Sequence, residues 1–181
     1  MRRTLVQMAG HAGSGKSTLA RQIARHTGGV VIDLDTVKSA LLDAGADWDE
    51  ASSWSYSVLY ALVEDALDAS EVWVVVDTPS YWPQIHERLT AAADRSTAAY
   101  VFLECEADEA VRADRLARRR PSRSQVRGLA RRPADAPDSL DAPHLRPIQR
   151  PTGRACIRVV TDREVDVVGL LADPVFGAPA R

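Results

Sequence analysis

Gly10-His11-Ala12-Gly13-Ser14-Gly15-Lys16-Ser17 is a complete G-x-x-x-x-G-K-S phosphate loop, and its flanks decide the fold. Its glycines let the backbone turn tightly, so that successive N–H groups point inward at phosphate oxygens. In such a loop Lys16 reaches the β- and γ-phosphates and the Ser17 hydroxyl sits on Mg²⁺. The helix that follows adds the partial positive charge of its N-terminus, so the expected nucleotide contacts run from Gly10 through Thr18. Upstream, Thr4–Ala9 reads as a short buried strand entering the loop. Downstream, Leu19, Ile23 and Ala24 are spaced for the inner face of a helix that ends near Gly28-Gly29. Strand, loop and helix come in the order that phosphate binding requires.

The chain has 181 residues, which predicts a single domain over 1–181 with a sizeable core. Hydrophobic residues at 45% and charged residues at 27% are ordinary for a globular protein and give no sign of disorder. A net charge of −2 supplies no global case for a nucleic-acid or membrane partner. No apolar run approaches the roughly 20 residues that span a bilayer. The start, Met1-Arg2-Arg3 followed by a strand, lacks the apolar core of a signal peptide, so a cytoplasmic protein is expected. Cys105 and Cys156 fall in separate strand-like runs without the clustered ligands a metal site needs, and both read as small buried side chains.

Working outward from the loop, apolar strands alternate with helical segments. The strands are Val30–Asp33, Val72–Asp77, Ala98–Glu104 and Ala155–Val160, and near-continuous apolar runs of this kind suit a parallel sheet covered on both faces. Helices are expected over Thr36–Ala44, Glu50–Ala69, Pro83–Ala93, Asp108–Arg119 and Glu164–Ala172. The second of these carries Trp54, Val58, Ala61, Leu62 and Ala66 at helical spacing. The sum is an α/β sandwich. One segment, Arg118 to Pro151, has no periodicity but many arginines and then Pro133, Pro137, Pro143, Pro147 and Pro151. So long a loop in a compact domain is expected to be a mobile flap and an irregular surface segment.

Ligands of open α/β sheets bind beyond the carboxyl ends of the strands, where Asp33, Asp35 and Asp77 fall. Phosphoryl transfer needs a metal held against the phosphates and a group that orients the attacking hydroxyl. Asp77 closes an apolar run and fits a Walker-B-type acid acting on Mg²⁺ through water, with Asp33 assisting the metal. Asp35, at the mouth of the next helix, fits the general base. The alternatives are that Asp35 is only that helix's N-cap and Asp33 only a solvated acid. Lys38, one turn on, either holds substrate or pairs with Asp35.

Arg112, Arg115, Arg118, Arg119 and Arg120 follow closely, with Arg123 beyond. Arginine suits bidentate phosphate contact and neutralises charge in a transition state. Arg115, Arg119 and Arg123 are therefore the candidates for a lid over the nucleotide, with Arg115 and Arg119 on one helical face. A nucleic-acid phosphate track is disfavoured because no aromatics interleave them.

These motifs together resemble the small P-loop kinases, especially the AAA-33-type ATP-binding proteins that are zeta-toxin- and polynucleotide-kinase-like. The resemblance runs to about Val168. In that group the loop is followed by an acidic residue and, three positions on, Arg or Lys; Asp35-Thr36-Val37-Lys38 matches, with Lys where many relatives carry Arg. The third-strand acid followed by a small residue is matched by Asp77-Thr78, and the Arg-Leu-x-x-Arg that opens the lid by Arg115-Leu116-Ala117-Arg118-Arg119. Asp33-Leu34-Asp35 is also similar to the Asp-x-Asp of shikimate-kinase-like enzymes. The resemblance implies a P-loop three-layer sandwich with sheet order 2-3-1-4-5, and ATP·Mg²⁺-dependent transfer to an alcohol. Lys16, Asp35 and Arg119 are the residues expected to carry that transfer.

The acceptor is expected between Asp35 and the long helix, where Trp48, Trp54, Tyr56, Tyr81 and Trp82 gather as shaped apolar walls. Trp54, Thr78, Tyr81, Trp82, Lys38 and Asp35 form the candidate substrate set, with core packing as the other reading of Trp54. The leading expectation is a kinase of a small-molecule hydroxyl on a metabolite or antibiotic. The alternatives are a nucleoside, nucleotide or polynucleotide 5′-hydroxyl kinase, and a regulatory ATPase switch that transfers nothing.

Overall fold

The computed structural model describes residues 3–69, 72–126, 128–129, 133, 136 and 146–176. Strand β1 (Thr4–Ala9) leads through the phosphate loop into α1 (Lys16–Thr27). Then come β2 (Val30–Asp33), α2 (Leu34–Asp43), α3 (Trp48–Ala69), β3 (Trp73–Asp77), α4 (Pro83–Arg95), β4 (Ala99–Glu106) and α5 (Glu109–Arg118). After the arginine- and proline-rich segment follow β5 (Ala155–Val160), α6 (Val167–Leu171) and a 3-10 turn at Pro174–Phe176. The strands form one five-stranded parallel sheet in the order β2-β3-β1-β4-β5. Among the described residues no helix is long and apolar enough to cross a membrane.

The sheet sorts its side chains by parity. From β1, Leu5 and Ala9 join a core with Val74, Val76, Phe102 and the inner faces of α3 and α4. Val6 and Met8 point the other way, to Leu19 and Ile23 of α1, Val75, Val101, Leu103 and Phe176. Every residue of β1 is buried, as a central strand covered on both faces requires. β5 differs because it is an edge strand: Cys156, Arg158 and Val160 are exposed. Cys156 is therefore not the buried side chain expected of it. The two cysteines are both free, since the β4–β5 register sets Cys105 opposite Val159 and Cys156 opposite Phe102.

Two further expectations are corrected. On α3 the buried stripe is Ala51, Ser55, Leu59, Val63 and Leu67, one position on from the expected Trp54, Val58 and Leu62. Those three are exposed, Trp54 by 48%. Both stripes repeat at helical spacing, so periodicity alone left the phase open. Arg119 is the C-cap of α5, with extended backbone (φ −74°, ψ 144°), and so leaves the helical face that Arg115 occupies. Of the irregular run, Arg127, Pro137 and Pro143 lie outside the described residues.

The described end of that run is tied across the carboxyl ends of the strands. Gln149 N–H donates to the Ser80 carbonyl (2.6 Å) and the Ser80 hydroxyl to the Gln149 carbonyl (2.8 Å). A buried chain continues inward, with Gln7 Nε2 donating to Ser80 Oγ (3.4 Å) and the Tyr100 hydroxyl to Gln7 Oε1 (2.5 Å). Beside it Arg150 grips the buried Glu104 carboxylate with two bonds (2.6 and 2.8 Å). A buried carboxylate needs such a partner. The loop after β3, which carries Tyr81 and Trp82, is thereby fixed from below.

Candidate active site

The phosphate loop owes its shape to backbone geometry. Gly13 and Gly15 both take φ +81°, the left-handed region. A Cβ at Gly13 would meet the Arg112 carbonyl oxygen at 2.8 Å. Gly15 is the N-cap of α1 and offers no side chain to its first-turn N–H groups. Those donors stay open toward the cradle, which is what an anion at a helix N-terminus uses. The Lys16 ammonium meanwhile donates to the His11 carbonyl (3.3 Å), and the His11 ring lies 6.1 Å from that of Tyr81.

The parallel register brings the acids together. Asp33 sits directly opposite Asp77 across the β2–β3 pair, and both end their strands beside the loop. Asp77 is buried, with the Ser17 hydroxyl and the Lys16 ammonium drawing its carboxyl downward. Burial still pushes its carboxyl upward against the pull of those partners. Asp33 is the N-cap of α2: its Oδ1 accepts from the N–H groups of Asp35 (2.9 Å) and Thr36 (3.3 Å). Its Oδ2 faces Arg21 at 3.6 Å. Burial, and then the charges of Asp77 and Asp35, raise it to about 6. Because α2 begins at Leu34, Asp35 is a first-turn residue and not the cap. Among the described residues no three His, Cys, Asp or Glu side chains form a group that could hold a metal. A cation beside Asp77 would take further oxygens from Ser17 and from bound phosphates, as Mg²⁺ does in phosphate sites.

Two cavities border Lys16 and Ser17 at the end of the loop. One, of about 380 Å³, opens between α2, the start of α3 and the loop after β3, and Asp35, Lys38, Asp77, Tyr81, Trp82 and Arg119 all border it. The other, of about 760 Å³, lies over α1 between Arg115, Arg119 and the Thr161–Val165 turn. Lys16, Ser17, Arg119 and Gln125 border both. In the first cavity the Lys38 ammonium sits 3.4 Å from the Trp48 ring centre and donates to Ser52 Oγ (2.5 Å). It pairs with neither Asp35 nor any other described carboxylate, and burial lowers it to about 8. Tyr81 is held up at about 12 by burial. Thr78 is buried and borders neither cavity, its hydroxyl donating to the Pro79 carbonyl (3.3 Å).

Not every candidate joins the site. Trp54 faces outward from α3 and borders neither cavity, because the buried stripe of that helix is one position on. Arg115 serves the loop's rim: it donates to the Gly13 carbonyl (3.3 Å) and to the Thr161 hydroxyl (3.4 Å) and carbonyl. Arg112 does likewise at the Ala12 carbonyl (2.9 Å). Arg123 turns to Asp43 at the end of α2 (3.1 Å). Arg119 alone of the three lid candidates borders both cavities. It donates to the Val126 carbonyl (2.6 Å), while its buried Nε has no partner among the described residues.

Sequence reasoning missed Ser124, Gln125, Ser52 and Arg146. Ser124 is buried and bonded to Asp35, Gln125 stands between the cavities, and Arg146 lies 5.7 Å from the Trp82 ring centre. No local signal marks them, since three lie in the stretch without periodicity and their neighbours come from distant segments.

The comparisons agree with this architecture. The family AAA_33, described as an AAA domain, matches residues 5–139. A protein of Chloroflexus aurantiacus taken to be a kinase superposes with a TM-score of 0.68, at 17% identity over 94% of this chain and 96% of that one. A sugar kinase from Janibacter sp. HTCC2649 follows at a TM-score of 0.64, with 18% identity over 96% and 98%. The APS kinase of Mycobacterium tuberculosis, in complex with AMPPNP and APS, gives 0.62 with 17% identity over 98% and 99%. At such identities the likeness is one of fold, that of P-loop kinases. No curated protein matches the sequence.

Proposed function

We propose that this chain, which belongs to the AAA_33 family of AAA domains, is an ATP-dependent kinase that transfers the γ-phosphate to a hydroxyl of a small molecule. The observation that carries the reading is that the loop cavity and the aromatic cavity meet at Lys16, Ser17 and Arg119, with Asp35 lining the aromatic one. A switch that only binds nucleotide has no need of a second, aromatic-walled cavity beside its phosphates. A volume of about 380 Å³ suits a small molecule better than a polymer end.

In this reading the open N–H groups of the loop and of α1 hold the triphosphate, and Lys16 leaves the His11 carbonyl to meet the terminal phosphates. Mg²⁺, when bound with the nucleotide, would neutralise phosphate charge, with Ser17 as its hydroxyl ligand and Asp77, aided by Asp33, as its acidic partners. Asp35 accepts the proton of the acceptor hydroxyl as the oxygen attacks phosphorus and the bond to the β-phosphate oxygen breaks. Arg119 faces the charge that builds on the transferred group. Trp82, Tyr81 and Lys38 orient the acceptor, and segment 119–126 is the lid.

The test is an acceptor screen with γ-labelled ATP across sugars, aminoglycosides, nucleosides and 5′-hydroxyl oligonucleotides. Transfer to a small molecule, lost in Asp35→Asn with ATP binding intact, is expected. Steady hydrolysis with no labelled product would give the regulatory reading instead.

A further inference from the structure

Asp35 does not stand alone. A hydroxyl from 89 residues further along the chain reaches it: Ser124 Oγ donates to Asp35 Oδ1 at 2.9 Å and lies 3.0 Å from the Asp35 carbonyl oxygen. Ser124 is itself fixed, because its N–H donates to Ser39 Oγ (3.2 Å) and the Ser39 hydroxyl lies 3.1 Å from Ser124 Oγ. It is buried although it belongs to a segment without helix or strand. One more contact ties that segment to α2, since Arg123 pairs with Asp43 at the helix's far end; within the segment, Arg119 donates to the Val126 carbonyl. No described residue donates to Asp35 Oδ2, so the carboxylate keeps one oxygen for another partner.

A carboxylate in the first turn of a helix otherwise rotates among rotamers, and a base works only within hydrogen-bond reach of its proton. We propose that Ser124 is a positioning residue for Asp35, holding Oδ1 so that Oδ2 is presented to the acceptor hydroxyl, and doing so only while segment 119–126 lies on α2. The inference rests on Asp35 being the base. Its consequence is an ordering. The same segment brings Arg119 to the junction of the cavities and completes the base, so closing it over the nucleotide assembles both groups at once. While it is lifted, Asp35 is unfixed and the phosphate chain is protected from idle hydrolysis.

The experiment compares the full-length chain, Ser124→Ala, Ser124→Thr, Asp35→Asn and the double variant Asp35→Asn/Ser124→Ala. The readout is turnover of ATP with Mg²⁺ and water as acceptor, alongside affinity for AMPPNP. Ser124→Ala is expected to lower kcat by about tenfold, the scale of a lost bond to a charged group, with KM for ATP unchanged within about twofold. Ser124→Thr, which keeps the hydroxyl, restores it. In the Asp35→Asn background the alanine adds nothing further, since a residue acting through Asp35 has nothing left to act on. Full activity in Ser124→Ala beside a dead Asp35→Asn would overturn the positioning role alone, as would an equal loss in both backgrounds. An unaltered rate in Asp35→Asn would overturn the base and this inference together. Should the alanine variant not fold, Ser124→Cys carries the same expectation through its weaker donor.

Discussion

Replacing Asp33 by Asn should make the nucleotide-free protein more stable at pH 8. Asp33 is raised from 3.8 to about 6, chiefly by burial and then by the facing Asp77 and neighbouring Asp35 carboxylates. The folded chain thus holds the Asp33 proton more tightly than the unfolded chain. Stability from this group is full below about 4, falls as the pH rises, and is lost above about 6. At roughly 1.4 kcal/mol per pH unit, a shift of about two units amounts to at most about 3 kcal/mol. Water around the partly open site and the Arg21 contact at 3.6 Å reduce that to about 1–2 kcal/mol. Asn caps a helix as well as Asp, so the bonds to Asp35 and Thr36 N–H survive in Asp33→Asn. For a chain of this size the gain is about 3–6 °C in Tm at pH 8, vanishing near pH 4. Thermal unfolding without nucleotide or Mg²⁺ at both pH values measures it. A lowered Tm at pH 8 would refute the reasoning, and an equal gain at both values would place the effect in the cap and not the charge.

Lys16→Ala should abolish AMPPNP binding in calorimetry, because no other ammonium borders both cavities. Trp82→Ala should raise the acceptor KM about tenfold, whereas Trp54→Ala should leave it within about twofold, since Trp54 faces outward. Arg119→Ala should cut kcat by about 10²-fold or more with a smaller change in KM for ATP, the pattern of a group acting on transition-state charge. Leu59→Ala, at a side chain with no exposure, should cost about 2–4 kcal/mol in urea unfolding.

The phosphate loop was legible because its requirements are local: glycines at two left-handed positions, then Lys16 and Ser17 at the start of a helix. The strands were legible because buried parallel strands read as apolar runs, and Thr4–Ala9, Val30–Asp33 and Ala155–Val160 have the bounds expected of them. Their order, 2-3-1-4-5, came with the resemblance to small P-loop kinases and is the order observed. The acids Asp33, Asp35 and Asp77 were legible as strand-end residues, but not the division of labour among them. It is the β2–β3 register that sets Asp33 opposite Asp77, and the start of α2 at Leu34 that makes Asp33 the cap.

Helix phase was the characteristic failure. α3 offers two apolar stripes one residue apart, and only packing against the sheet decides that Leu59 and Val63 go inward while Trp54 and Leu62 go out. The arginines failed in a related way: their charge announced phosphate, yet Arg112 and Arg115 satisfy carbonyls of the loop itself and Arg123 pairs with α2. The sequence by itself determined that a P-loop would form between a buried strand and a helix, because that outcome depends on residues a few positions apart. Which side chains close around it, with Ser124 on Asp35 and Arg119 between two cavities, was decided by tertiary structure alone. Ser124 and Asp35 stand 89 positions apart, and no local preference of the chain encodes a meeting at that range.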